Sequence, residues 1–194
     1  SSISHAKGFG DAIKWAPSYG ELFVGVDHAQ LGKHQDRSAL SKLAVKRGLL
    51  PAVVQEDGSC LKSSVNVLRS IAVRVGGGSS VYILEGTMDA ECTEVHFKKR
   101  LLGPLTKAKR PFSGKIAKMP YVAVSSNQVA LFVDRQRALV GKLSDLQRVV
   151  TGRGSKRKRV PRDRALKKLY REATKPPSIL WSFSRIPKRF QKRA

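Results

Sequence analysis

The stretch from residue 64 to residue 85 reads SVNVLRSIAVRVGGGSSVYILE. In its first half apolar residues occupy every second position, interrupted at Arg69, and this alternation predicts a long, half-buried strand. Gly76, Gly77 and Gly78 break the pattern, and an apolar run returns from Val81. A connection this short predicts two antiparallel strands joined by a hairpin turn.

The flanking sequence predicts further short strands and a few helices. Strand patterns occur at 21–27, 52–55, 93–97, 121–124 and 129–133. One helix is predicted from Ser38, as its cap, to Arg47, with Gly48 as its stop. A second helix is predicted to follow Asp134 as its cap, with Leu139, Leu143, Leu146 and Val150 on one side. These elements predict an α+β fold, with a small antiparallel sheet or partly closed β-barrel and two or three helices.

The C-terminal part of the chain is strongly basic. Residues 151–194 carry 16 Lys and Arg against two acidic residues, which supplies +14 of the formal net charge of +24. Such a tract favours a polyanionic partner, and nucleic acid is the most natural one because phosphate neutralisation releases counterions. Asp163 can cap a short basic amphipathic helix near 164–174. We therefore predict a long basic C-terminal extension rather than a solvated tail, with Trp181 and Phe183 packing on a protein surface or stacking on an unpaired base.

A second basic segment lies within the body, at 98–118. It contains eight Lys and Arg and no acidic residue, and its Gly and Pro residues predict an irregular basic loop. The predicted organisation is an irregular N-terminal arm at 1–20, a body at 21–150 and the extension at 151–194. The predicted RNA-binding residues are the cations of the two segments, Lys98, Lys99, Arg100, Lys107, Lys109, Arg110, Lys115, Lys118, Arg153, Lys156, Arg157, Lys158, Arg159, Arg162, Arg164, Lys167, Lys168, Arg171, Lys188, Arg189, Lys192 and Arg193.

The spacing of the two cysteines does not indicate a metal site. Cys60 and Cys92 stand 32 positions apart and form no CxxC pair, a pattern that does not favour a zinc site. A disulfide is the alternative to thiols, and thiols are expected because the basic composition indicates an intracellular protein.

Candidate metal or catalytic groups are few. They are Asp27 with His28, His34 with Asp36, and the group Asp89, Glu91, Glu94 and His96. Glu94 and His96 are predicted to share one face of a strand. We interpret all of these as polar side chains on a sheet face, and we expect no catalytic residue, metal or cofactor.

Other recognisable modules are missing from the sequence. The segment 76–80 lacks the spacing and the Lys of a phosphate-binding loop, and there is no RNP1, KH or zinc-finger pattern. No apolar run approaches the ~20 residues that span a bilayer, so no membrane span is expected. The remaining interpretation is that loops and tails bind the sugar-phosphate backbone of a folded RNA. No small-molecule substrate is expected.

A small body, a basic segment between strands and an extension mixing Lys/Arg clusters with Trp181 and Phe183 resemble a ribosomal protein of organellar, mitochondrial type. The sequence begins with Ser1 rather than Met, for which a removed organellar presequence is one explanation. The resemblance implies a structural constituent of a mitochondrial ribosome in the matrix, with rRNA and neighbouring ribosomal proteins as partners.

Two other functions remain open at this point. One is an RNA-processing or ribosome-assembly factor, and the other, less favoured, is a metal-dependent nuclease built around Glu94 and His96. A cytoplasmic or nucleolar ribonucleoprotein is the alternative to the mitochondrial location.

Overall fold

The structure is a computed structural model and describes residues 12–17, 19–33, 36–62, 66–153, 168 and 179–184. Within these ranges the chain forms eight strands, four α-helices and two short 3₁₀ helices. The strands are β1 (Leu22–Asp27), β2 (Val67–Arg74), β3 (Ser80–Gly86), β4 (Ser113–Ile116), β5 (Met119–Ala123), β6 (Val129–Asp134), β7 (Arg137–Gly141) and β8 (Leu180–Ser184). The α-helices are α1 (His28–Leu31), α2 (Arg37–Lys46), α3 (Ala90–Lys107) and α4 (Leu143–Arg153), and the 3₁₀ helices are Ala12–Trp15 and Ala52–Gln55.

The strands form one antiparallel sheet in the order β4-β5-β6-β7-β3-β2-β1-β8. Its two edge strands, β4 and β8, do not pair with each other, so the sheet is open rather than a closed barrel. The predicted α+β class is confirmed, and of the two predicted architectures the structure has the antiparallel sheet. It has four α-helices within the described residues, where two or three helices were predicted. The long basic C-terminal extension lies almost wholly outside the described residues.

The predicted hairpin of β2 and β3 is present, and it lies near the centre of the sheet. Ile71 pairs with Ile83 and Val73 with Val81, and all four side chains are buried. In the turn between the strands Gly76, Gly77 and Gly78 have φ values of +91°, +57° and +72°. Only glycine adopts this left-handed region three times in succession without strain, which explains the glycine run.

Both faces of the sheet are buried at its centre. On one face the strand register aligns Gly25, Ile71, Ile83, Leu139 and Leu131. Helix α4 covers this face, since a Cβ built on Gly141 would lie 3.4 Å from the Leu146 side chain. Burial on both sides explains the nearly continuous apolar runs of β3, β6 and β7. The prediction that β2 is half-buried is wrong, because Ser70 to Val73 are all buried and so both of its faces are covered at its centre.

The opposite face aligns Val24, Ala72, Tyr82 and Val140, and we call it the Tyr82 face. Helix α1 and the turn after α2 reach this face. His28 bonds the Ser70 hydroxyl at 2.8 Å, and the Tyr82 hydroxyl donates to the Gly48 carbonyl at 3.0 Å.

Strand β8 brings Trp181 and Phe183 into the body. β8 pairs with β1, with Trp181 opposite Gly25 and Phe183 opposite Phe23. Trp181 is buried, and the rings of Phe183 and Phe23 stack with centroids 4.8 Å apart. Of the two predicted roles, packing on protein is the one found, and the protein surface is the chain's own sheet.

Several local predictions are wrong for identifiable reasons. The predicted strand at 52–55 is a 3₁₀ helix that follows Pro51. Asp134 caps no helix, because its carboxylate accepts the Gln136 backbone N–H in the tight turn between β6 and β7. Leu139 therefore lies in β7, and α4 begins at Leu143. Helix α2 begins at Arg37, one residue before the predicted cap Ser38.

The segment before β1 contributes to the core. The 3₁₀ helix Ala12–Trp15 contacts β3, and Ile13 and Trp15 are buried. The predicted arm at 1–20 is thus packed against the sheet where the structure describes it.

Candidate nucleic-acid interface

The predicted strand at 93–97 is the first part of α3, an 18-residue helix. Asp89 caps it by accepting the Cys92 backbone N–H at 2.9 Å, and the Thr93 hydroxyl donates to the Asp89 carbonyl. Thr93 and Phe97 are fully buried, while Val95 is 72% exposed. Thr93 and Phe97 are four residues apart, a spacing that places two residues on one face of either a helix or a strand. In a strand Val95 would lie on that same buried face, so its exposure shows that the segment is helical.

A disulfide joins Cys60, in the loop before β2, to Cys92 in the first turn of α3. The expectation of thiols is therefore wrong. Spacing alone could not decide this pairing, because the approach of the two residues depends on how α3 packs on the sheet.

Glu56 holds the middle of α3 to the same loop. Its carboxylate pairs with Arg100 and lies 3.3 Å from the His96 imidazole. The Arg100 guanidinium also lies over the Phe97 ring, 5.0 Å from its centroid. Nothing in the local sequence pointed to Glu56, which is 44 positions from Arg100. Arg100 is thus partly neutralised within the body.

The predicted loop at 98–118 is instead the C-terminal half of α3 followed by the β4–β5 hairpin. The helix ends just beyond Pro104, and the Arg110 guanidinium donates to the Ser126 carbonyl at 2.6 Å. Phe112 is buried and anchors β4. The hairpin closes through Ala117 and Lys118, whose φ values of +47° and +73° match the tight turn that favours antiparallel strands.

The remaining cations form what we call the basic ridge. Its members are exposed lysines on α3, in the turn after α3 and on the β4–β5 hairpin, and none has an ion pair within the described part of the chain. They are Lys98, Lys99, Lys107, Lys109, Lys115 and Lys118. Exposed apolar side chains accompany them, since Leu102 is 43% exposed on the same helix as Val95. The ridge can neutralise several phosphates while contacting bases or ribose through apolar groups.

The predicted C-terminal site lies mostly outside the described residues. Lys168 is described and is exposed and helical, and Arg153 is the last residue of α4. The predicted helix near 164–174 and the predicted contacts of the following cations therefore remain predictions; they are Lys156, Arg157, Lys158, Arg159, Arg162, Arg164, Lys167, Arg171, Lys188, Arg189, Lys192 and Arg193.

The candidate metal-binding residues that the structure describes have separate structural roles. Among the described residues, no three His, Cys, Asp or Glu side chains are grouped so as to hold a metal ion. Asp27 caps α1 and pairs with Arg69, and Asp89 caps α3. Glu94 and His96 lie on a helix rather than a strand, so residues two apart do not share a face and the premise of a joint site is wrong. His34 lies outside the described residues.

His28 is a buried histidine whose imidazole is bonded to the Ser70 hydroxyl. Burial lowers its pKa from 6.5 to about 4, against the smaller, opposing effect of the Asp27 carboxylate. Between these values the unfolded chain binds a proton that the folded protein does not bind. The contribution of His28 to the free energy of unfolding is therefore fully present above pH 6.5 and is lost as the pH falls toward 4.

We expect acidification from pH 7 to pH 4 to remove about 3 kcal/mol through His28 alone, since one unit of pKa is worth about 1.4 kcal/mol. Urea unfolding at several pH values measures this. The variant His28→Gln, which keeps a hydrogen-bonding group beside Ser70, should show a flatter pH profile over this range. Parallel profiles for the two proteins would contradict the assignment.

Comparisons with known proteins show no family for this chain. No family model matches the chain. No curated protein matches it either. Among solved structures, crystal form I of TP0453 aligns with a TM-score of 0.45 and 11% identity, over 94% of this chain and 56% of that one. Crystal form IV of TP0453 aligns with a TM-score of 0.38 and 12% identity, over 99% of this chain and 61% of that one. The chain thus spans less than two thirds of the structures it resembles.

The structure also bears on the membrane question. Within the ranges that the structure describes, no helix combines the length and the apolar character needed to cross a bilayer.

Proposed function

We propose that this protein is a non-catalytic RNA-binding protein that serves as a structural constituent of a ribosome. The observation that carries the proposal is the basic ridge, six exposed lysines that form no ion pair with another described residue, in a segment that contains no acidic residue. Cations of this kind bind phosphates by releasing counterions, independently of base sequence. The mitochondrial ribosome remains the predicted setting.

The position of the ridge suits a folded RNA. Its lysines lie on a rigid scaffold, since α3 is tied to the loop before β2 by the Cys60–Cys92 disulfide and by Glu56. The hairpin is held by Arg110 and Phe112. A backbone held in this way keeps the positions of the lysines relative to one another, which favours an RNA surface of matching shape over an extended strand.

The test is RNA binding by the full chain with Lys98, Lys99 and Lys107 changed to Gln. Fluorescence anisotropy with a structured rRNA fragment should show affinity falling about tenfold or more at moderate salt. The slope of log affinity against log salt should decrease by about 2–3, because each phosphate contact contributes about 0.7–0.9. Charge substitution is preferable to removing residues 151–194, because that deletion would also remove β8 and the buried Trp181.

A matched control changes three exposed cations away from the ridge, Lys33, Lys46 and Arg135, to Gln. This variant loses the same charge and should bind nearly as the parent does. Equal losses in the two triple variants would mean that net charge alone governs binding, and the ridge would then have no special role.

The ribosomal setting is tested separately, by co-sedimentation with ribosomal subunits in sucrose gradients. A permanent constituent remains on the particle through high-salt washing, whereas an assembly factor is released. Loss of the protein from the particle in high salt would favour the assembly-factor alternative.

A further inference from the structure

A hollow lies on the Tyr82 face, at the end of the sheet where β1 and β3 begin and β2 ends. Its volume is about 230 Å³, and its floor includes Val24, Ala72 and Tyr82. The turn after α2 forms one wall, and the polar side chains of Asn127 and Gln128, from the β5–β6 turn, line another part. This volume is below the ~300–1,000 Å³ typical of sites for drug-sized ligands, so an occupant must be small.

Three cations from separate elements line this hollow. Arg47 follows α2, Arg74 ends β2, and Lys142 follows β7. All three are exposed, and none makes an ion pair with another described residue. No acidic residue is among the described residues that line the hollow. Two acidic residues adjoin the lining. The Asp145 carboxylate accepts a hydrogen bond from the hydroxyl of the lining residue Ser79, and the exposed Glu21 donates its backbone N–H to the Arg74 carbonyl.

The fold itself favours a cation at only one of these three positions. Arg47 caps the C-terminal end of α2, where a positive charge interacts favourably with the helix dipole. Arg74 lies at a strand end, where no such dipole operates. Lys142 directly precedes α4, and the positive end of that helix dipole disfavours a cation there. Like charges that share one concave site repel one another until an anion neutralises them.

We propose that this hollow binds a phosphate monoester. Arg47 and Arg74 supply guanidinium groups that bind phosphate oxygens in pairs, and Lys142 adds a point charge. The apolar floor of Val24 and Ala72 accepts a small ring or sugar. The amides of Asn127 and Gln128 can hydrogen-bond to polar groups of that ring.

Two sources share this chemistry, a free nucleotide-like monophosphate and the 5′-terminal phosphate of an RNA. A phosphodiester within an RNA chain carries a single negative charge and has no free end to enter a site this small. The inference therefore does not depend on the basic ridge, which binds phosphodiesters on the outer surface.

Isothermal titration with uridine 5′-monophosphate, with uridine and with inorganic phosphate tests the proposal. The monophosphate should bind saturably, and uridine should not. Changing Arg47, Arg74 and Lys142 to Gln should weaken binding by at least about tenfold, the equivalent of one lost charge-assisted hydrogen bond. The Lys33, Lys46 and Arg135 triple variant should bind as the parent does. Equal weakening in the two triple variants, or equal binding of uridine and its monophosphate, would overturn the proposal.

A second measurement locates the ligand and separates its two sources. Amide chemical shifts caused by uridine 5′-monophosphate should concentrate at 78–82 and at Gln128, and shifts spread over the whole surface would contradict a defined site. A short RNA with a 5′-phosphate should perturb the same amides, and the same RNA with a 5′-hydroxyl should not, if RNA ends are the source. If the two RNAs behave alike while the mononucleotide binds, the source is a free monophosphate.

Discussion

Changing Trp181 to Ala is expected to lower the free energy of unfolding by about 3–5 kcal/mol, as other large-to-small changes of buried aromatic residues do. Trp181 is buried at 5% exposure although it lies near the end of a basic tail. Its indole covers Gly25 on β1, and its ring stacks on Phe183 at 5.5 Å. Losing it removes the apolar contact that holds β8 on the sheet.

Urea unfolding measures this loss, and the same strand provides a control. Leu180 is 63% exposed, so Leu180→Ala should cost less than about 1 kcal/mol. Similar losses for the two variants would contradict the burial of Trp181.

A double-mutant cycle with Gly25 tests the contact itself. A Cβ on Gly25 would overlap the Trp181 ring, so Gly25→Ala must displace the indole. The same change should be much less harmful when Trp181 is already Ala, with a coupling energy above about 1 kcal/mol. Additive effects would show that the two residues do not meet.

The second large effect is expected from the Cys60–Cys92 disulfide. Closing a loop over a sequence separation of 32 restricts the unfolded chain, which corresponds to about 3–4 kcal/mol of stability. The Cys60→Ala, Cys92→Ala double variant should lose this amount, and Ala suits the buried Cys60 position because it adds no polar group. The reduced parent protein should match the double variant. Two titratable thiols in the native, non-reduced protein would contradict the bond.

The disulfide also bears on the predicted location. Disulfides persist in oxidising compartments and are rare where thiol reductants are abundant. The basic composition and the predicted intracellular location both favour thiols, whereas the structure has a disulfide. Cell fractionation combined with alkylation of free thiols is the direct test of the location. Recovery of the oxidised protein from an oxidising compartment would contradict the matrix location.

The elements that the sequence predicted correctly are those in which neighbouring residues carry the whole signal. The β2–β3 hairpin depends on alternation and on three glycines, and its turn needs their positive φ. The hairpin of β5 and β6 also follows from two apolar runs and a short polar turn. These two predictions are correct because each strand pairs with its neighbour in sequence.

The errors arose where two periods or two roles fit the same residues. Thr93 and Phe97 satisfy both a strand and a helix, and packing on β5 decides for the helix. That choice converts a predicted basic loop into half a helix and a hairpin, and it brings Arg100 into an ion pair with Glu56. Leu139 fits a helix face but lies in β7, because the tight turn at Asp134 reverses the chain into a new strand.

The sequence by itself determined the central hairpin, the α+β class and the excess of positive charge, because these depend on local alternation, turn chemistry and composition. The tertiary structure alone decided three other matters. It joined Cys60 to Cys92, it returned Trp181 to the sheet beside Gly25, and it gathered Arg47, Arg74 and Lys142 around one hollow. Each depends on residues far apart in the chain, whose approach is set by the packing of α3, β8 and the turn after α2 and not by any local pattern.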